Sequence, residues 1–121
     1  MKDIVSQLSE NRIRIWLVID IPIGVELNPV AAFVANPNAP EFGSITYNAY
    51  LKTKKREQDL FDSLSRTYIG VNVVDPSFNL CDSDNCFGGK GNVVWYRDGD
   101  HLTDAGAKAA MSQFHPIFFV K

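Results

Sequence analysis

Residues 13–20 read Ile13-Arg14-Ile15-Trp16-Leu17-Val18-Ile19-Asp20. The run is rich in β-branched and aromatic side chains and ends continuously apolar rather than alternating. A run of that kind suits a strand buried on both faces, as in a parallel sheet. Asp20 closes it, and Pro22 and Gly24 stop it. Val71 to Val74 is a second, shorter run, closed by Asp75-Pro76. Between the two, Thr46 to Arg66 reads as a helix. Tyr47, Tyr50 and Leu51 form one apolar cluster, and Leu60, Phe61, Leu64 and Tyr68 another at helical spacing. Strand, long helix, parallel strand is a βαβ unit with a right-handed crossover. The fold class is therefore predicted to be α/β.

Working outward, Ile4, Val5 and Leu8 share a helical face, so residues 2 to 10 are predicted helical. Residues 21 to 45 carry Pro22, Pro29, Pro37 and Pro40 with Asn28, Asn36 and Asn38, which predicts a long loop with one short helix around Val30 to Val34. Loops that leave the carboxyl ends of parallel strands often line binding sites. Within the long helix, Lys54-Lys55-Arg56 is followed by Glu57, Asp59 and Asp62, so this segment is read as a solvated face rather than a basic patch. Gly88-Gly89-Lys90-Gly91 does not open a helix after a strand, which argues against a phosphate loop. Val93 to Tyr96 is a short extended piece. Thr103 is a good N-cap for a helix over Ala105 to Phe114, which Pro116 should end. Ile117-Phe118-Phe119-Val120 is strongly apolar and is expected to be packed or paired as a strand.

The bulk properties narrow the function. A chain of 121 residues predicts one domain, 1–121, able to bury a real core. With a net charge of −2, nothing points to a nucleic-acid footprint, and no nucleic-acid partner is expected. No apolar run is long enough to span a bilayer. Met1-Lys2-Asp3-Ile4 lacks the layout of a signal peptide, which predicts a cytoplasmic protein unless something upstream carries it out. The two cysteines, Cys81 and Cys86, enclose the turn formers Asp82, Ser83, Asp84 and Asn85. Their spacing fits a small disulfide loop or two free thiols. A zinc site would need two further ligands, and only His101 and His115 stand beside the carboxylates. No metal and no cofactor are expected.

Asp98-Gly99-Asp100-His101-Leu102-Thr103 carries the chemistry. A carboxylate three residues before a histidine fixes the imidazole tautomer and stabilises its charged form, so that the ring can act as a general base. Asp98 is the orienting carboxylate in this reading. Asp100, adjacent to His101, is expected to point elsewhere, toward backbone amides at the helix start. The positive end of that helix should oppose protonation of the imidazole.

The segment Tyr96 to Ala107 resembles the last conserved block of the SGNH (GDSL-type) hydrolases. It is most similar to the version fused to membrane acyltransferases that O-acylate bacterial glycans. There an aspartate and a histidine in D-x-x-H complete a Ser-Asp-His triad, followed by a leucine, a small hydroxyl residue and Gly-Ala. Asp98 and His101 match the two triad positions, and Leu102, Thr103, Gly106 and Ala107 match the flank. Cys81 and Cys86 resemble a cysteine pair carried by acyltransferase-linked members. Val18-Ile19-Asp20-Ile21-Pro22 resembles the preceding strand and loop.

The resemblance implies a partial three-layer, flavodoxin-like SGNH fold and an esterase or O-acyltransferase activity on carbohydrate hydroxyls. The family's nucleophile lies in a Gly-Asp-Ser segment, and this chain contains none. Gly43-Ser44 is the nearest approach, in the wrong place. The family's oxyanion-hole glycine and Gly-x-Asn-Asp segment are also missing. The chain is therefore predicted to correspond to the C-terminal half of an SGNH domain and to be inactive alone, because a lone Asp-His pair lacks both nucleophile and oxyanion donors. Its implied partners are an acyl ester or glycan hydroxyl, together with a second copy or the missing N-terminal part. An extracytoplasmic location follows if it belongs to a membrane-fused acyltransferase. The alternative is a non-catalytic SGNH-like interaction module that pairs through its sheet edge.

Overall fold

The computed structural model describes residues 1–38 and 42–119. Pro40 of the predicted loop and Val120 of the predicted C-terminal strand lie outside the described residues. Helix α1 spans Lys2–Glu10 and leads into strand β1, Ile15–Val18. After a 3-10 turn at Val25–Leu27 come α2, Pro29–Ala35, and β2, Ser44–Thr46. The long helix α3, Tyr47–Thr67, follows directly, with Thr46 accepting the Ala49 N–H at 3.1 Å as its N-cap. Strand β3, Val71–Val74, pairs parallel with β1 in the register Ile15↔Val71 to Val18↔Val74. The architecture is thus mixed α/β around a parallel pair joined through α3.

A first core lies between this pair and the two helices. Val5 of α1, Leu64 of α3 and Val71 of β3 are buried together, with Ile15, Leu17, Leu60 and Tyr68 packed against them. Side chains alternate along a strand, so this core takes one face of β1. The expectation that β1 is buried on both faces fails: Val18, on the other face, is 42% exposed. β1 has a strand neighbour on one side only among the described residues, and no second helix layer covers Val18.

Lys54 corrects a second expectation. It is not solvated but only 5% exposed, and its ammonium meets the Asp75 carboxylate at 2.6 Å. It also lies over the Tyr50 ring, 4.5 Å from the centroid. Its neighbour Lys55 does behave as a surface residue, paired with Asp59 at 2.9 Å one turn on. Asp75 serves two elements at once, since it also accepts the Ser77 N–H at 2.9 Å to cap the 3-10 turn Pro76–Asn79.

The second core forms from the segments that leave β1 and β3. Leu27, Leu80, Trp95, Tyr96 and Ala110 are its buried members. Two antiparallel ribbons frame it: β2 with β4, Asn85–Phe87, and β5, Gly89–Lys90, with β6, Val93–Val94. The glycine cluster is therefore the edge of a hairpin. Cys81 and Cys86 form a disulfide across an antiparallel bridge. Helix α4 spans Asp104–Ala110 and runs through a 3-10 turn, Met111–Phe114, into α5, His115–Phe118. Pro116 does not end the helical run. It sits in the first turn of α5, where its missing N–H costs nothing. Of the stretch predicted as packed or paired strand, Ile117 and Phe118 belong to α5 and Phe119 follows its end, and Phe118 and Phe119 remain exposed. No described helix is long and apolar enough to cross a membrane.

Candidate active site

Tyr96 and Leu102 form an isolated antiparallel bridge that closes a tight turn over residues 97–101. The Arg97 N–H donates to the His101 carbonyl at 2.8 Å, and the Thr103 N–H donates to the Trp95 carbonyl at 2.9 Å. Thr103 then caps α4, accepting the Gly106 N–H at 3.1 Å while its hydroxyl donates to the Val94 carbonyl at 2.7 Å. The turn is anchored on the loop after β1. The fully buried Tyr96 hydroxyl donates to the Pro22 carbonyl at 2.7 Å, and the Gly24 N–H donates to the Gly99 carbonyl at 3.0 Å. Burial pushes the Tyr96 phenol far up, so it stays a neutral donor. Gly99 is needed for this approach, because a Cβ there would stand 2.9 Å from the Gly24 carbonyl oxygen.

Within the turn, Asp98 accepts the backbone N–H groups of Asp100 at 3.0 Å and His101 at 2.8 Å. Both its oxygens lie 3.0 Å from His101 Nδ1. The Asp100 backbone N–H above all, with the His101 ring and N–H, holds the Asp98 carboxyl well below the usual carboxylate range. It is ionised at neutral pH and requires a proton on Nδ1, which leaves Nε2 as the basic nitrogen.

Asp100 does not point away as expected: its Oδ1 comes within 2.8 Å of the same Nδ1. Only the Asp98 contacts have hydrogen-bond geometry, so Asp98 is the orienting partner and Asp100 adds charge beside it. The turn that brings both carboxylates to the ring is clamped from outside itself, by the Tyr96–Pro22 and Gly24–Gly99 hydrogen bonds.

The site faces solvent. The side chains of His101 and Asp98 are 59% and 41% exposed. Among the described residues, no hydroxyl bonds to Nε2. Ser44, of Gly43-Ser44, lies in β2 opposite Phe87. Asp98, Asp100 and His101 place possible ligand atoms within 4.8 Å of one another, one short of the four that a structural zinc takes. The nitrogen they surround is the one Asp98 already holds protonated. Cys81 and Cys86 lie outside this turn.

The sequence marked Asp98 and His101 by their spacing. It did not mark Tyr96 and Gly99, which fix the turn to the chain 74 residues upstream in the case of Tyr96. The signal available in the sequence was a tyrosine that ends the apolar run Val93-Val94-Trp95-Tyr96, two residues before Asp98.

The family model described as "SGNH domain (fused to AT3 domains)" matches residues 1–116. No curated protein and no solved structure matches the chain.

Proposed function

Because this chain belongs to the SGNH domain family, the form fused to AT3 domains, we propose that Asp98 and His101 are the orienter and base of a Ser-Asp-His triad for acyl transfer to or from carbohydrate hydroxyls. The carrying observation is the Asp98 carboxylate gripping Nδ1 with both oxygens at 3.0 Å, while two backbone N–H groups keep that carboxylate ionised. In the reaction, Nε2 takes the proton of a serine hydroxyl as its oxygen attacks the acyl carbonyl. The imidazolium, stabilised by Asp98, then returns the proton to the departing alkoxide. The 121 residues carry no Gly-Asp-Ser segment, so on this reading the serine and the oxyanion donors come from elsewhere and the chain alone is inactive. Residues 1–121 act as one unit equivalent to the C-terminal half of the SGNH domain.

An extracytoplasmic location is supported by the Cys81–Cys86 disulfide, since such bonds persist in oxidising compartments. A second reading, a non-catalytic module that pairs with another chain or with itself, draws on the apolar residues left open beside the turn. Ile23, Val25, Val30, Phe33 and Val34 are each more than half exposed. Nitrogen-15 NMR of the His101 ring tests the first reading. The Nδ1–H tautomer should dominate the neutral form, and Asp98→Asn should shift the balance toward Nε2–H. An unchanged ring in that variant would remove Asp98 from the role. A burst of nitrophenol from nitrophenyl acetate that His101→Ala abolishes would show the chain to be competent alone.

A further inference from the structure

A cleft of about 650 Å³ lies apart from His101. It opens between the β2–β4 ribbon and the β5–β6 hairpin, and Phe42, Phe87 and Trp95 line it. The Phe42 ring lies so close to Gly89 that no side chain fits there, which keeps the aromatic wall and the hairpin edge in contact. Ser44, Asp82 and Lys90 stand around the same cleft. Lys90 is exposed and, among the described residues, meets no carboxylate within ion-pair distance. The Asp82 carboxyl is held low, first by the Asn85 N–H and then by that of Asp84. It therefore presents a charged acceptor beside the cleft.

We infer that this cleft is a carbohydrate-binding subsite, set apart from the catalytic turn and accepting a neutral sugar ring. Its chemistry is two-sided. Aromatic walls suit the apolar C–H faces of a pyranose, and a hydroxyl, a carboxylate and an ammonium at the rim suit its equatorial hydroxyls. An acyl chain would make no use of the rim hydroxyl, carboxylate and ammonium, whereas sugar hydroxyls can donate to and accept from them. The volume lies in the range of small-ligand sites.

The subsite is tied to the base. Trp95 lines the cleft, its neighbour Tyr96 anchors the 97–101 turn, and the Trp95 carbonyl accepts the Thr103 N–H. A sugar held here lies against the hairpin whose chain continues through Trp95 and Tyr96 into the turn that carries His101. This inference rests on the proposed action on carbohydrate hydroxyls, but its test does not use catalysis.

The probe is the β-1,4-linked N-acetylglucosamine tetramer, titrated to millimolar concentration into the labelled chain and followed by NMR. Shifts are expected at the Trp95 indole N–H and at the amides of Gly89, Lys90 and Gly91. Phe42→Ala should weaken binding about tenfold, the loss of one good aromatic contact. Lys90→Ala, at an exposed position that does not threaten folding, should weaken it measurably, and His101→Ala should leave it unchanged. No shifts, shifts confined to residues 97–101, or binding by the Lys90 and Phe42 variants as tight as by the unchanged chain would each overturn the subsite. Binding that survives in His101→Ala while the His101 ring shows no dependence on Asp98 would preserve the subsite and reject the triad.

Discussion

At His101 the decisive quantity is which nitrogen keeps its lone pair. Two carboxylates converge on Nδ1, Asp98 in hydrogen-bond geometry and Asp100 at 2.8 Å. Asp98→Asn should therefore move the neutral ring toward the Nε2–H tautomer more than Asp100→Asn does. Nitrogen-15 shifts of the two ring nitrogens in the two variants measure this directly. Equal effects from the two variants would mean that Asp98 has no special hold on the ring. The Asp98–His101 pair is legible in the sequence because its geometry is local: three residues in a turn bring the groups together whatever surrounds them. The convergence of Asp100 is not legible, because it depends on how the turn is clamped by the Tyr96–Pro22 and Gly24–Gly99 hydrogen bonds.

Elements are joined by a small number of cross-links, and the buried Lys54–Asp75 pair is the firmest of them. It ties the middle of α3 to the end of β3. Lys54 is almost wholly enclosed whereas Asp75 is one-third exposed, so the two partners are not equivalent. Asp75→Asn strands a buried ammonium and should cost about 3 kcal/mol, the lower end for breaking a buried pair. Lys54→Met removes the charge, keeps the packing and should cost clearly less; urea denaturation of both variants gives the order.

Acid sensitivity follows from the same pair. Burial raises the Asp75 pKa, but the Lys54 and Ser77 hydrogen bonds outweigh it and the folded value lies below the ordinary one. The native state therefore binds fewer protons than the unfolded chain in this range. Its contribution is fully present above the ordinary carboxylate pKa of about 4 and is lost as pH falls through the lower, folded value. Denaturation midpoints in Lys54→Met should fall less steeply with acid than in the unchanged protein.

The disulfide is a second cross-link. By the loop-entropy relation, closing so short a loop is worth about 2 kcal/mol. Because Cys86 pairs with Ile45 in the β2–β4 ribbon, reduction should loosen that ribbon first, visible as faster amide exchange at Ile45 and Cys86. The βαβ unit was readable from apolar runs and helical spacing. The ribbon was not: its strands are three residues long and their pairing spans some forty residues of chain, so no local pattern announces them. Lys54 was misread for the same reason, since its burial is decided by Asp75, 21 residues away.

The whole molecule leaves many large apolar side chains open beside its two cores. Val25, next to Gly99, is 66% exposed, Phe33 and Val34 of α2 are 65% and 72% exposed, and α2 buries none of its residues. On the sheet, β1 carries Val18 on its open face and has no strand partner beyond β3 among the described residues. A two-stranded parallel sheet is a weak independent unit, and parallel sheets are ordinarily covered on both faces. Contiguous exposed apolar patches on soluble proteins mark interaction sites or association. The chain should therefore self-associate as its concentration rises, seen by size-exclusion chromatography with light scattering. Phe33→Asp, at a position with no buried contact to lose, should shift the population toward monomer with little change in melting temperature. Val18→Lys does the same only if the sheet edge, rather than the α2 surface, is the contact. A monomer at all concentrations, unchanged by either substitution, would mean that this surface is tolerated in water and would withdraw the support it lends to pairing. The apolar runs in the sequence showed which residues could be buried. They did not show that so many stay exposed, because that depends on how many strands and helices are present to cover them.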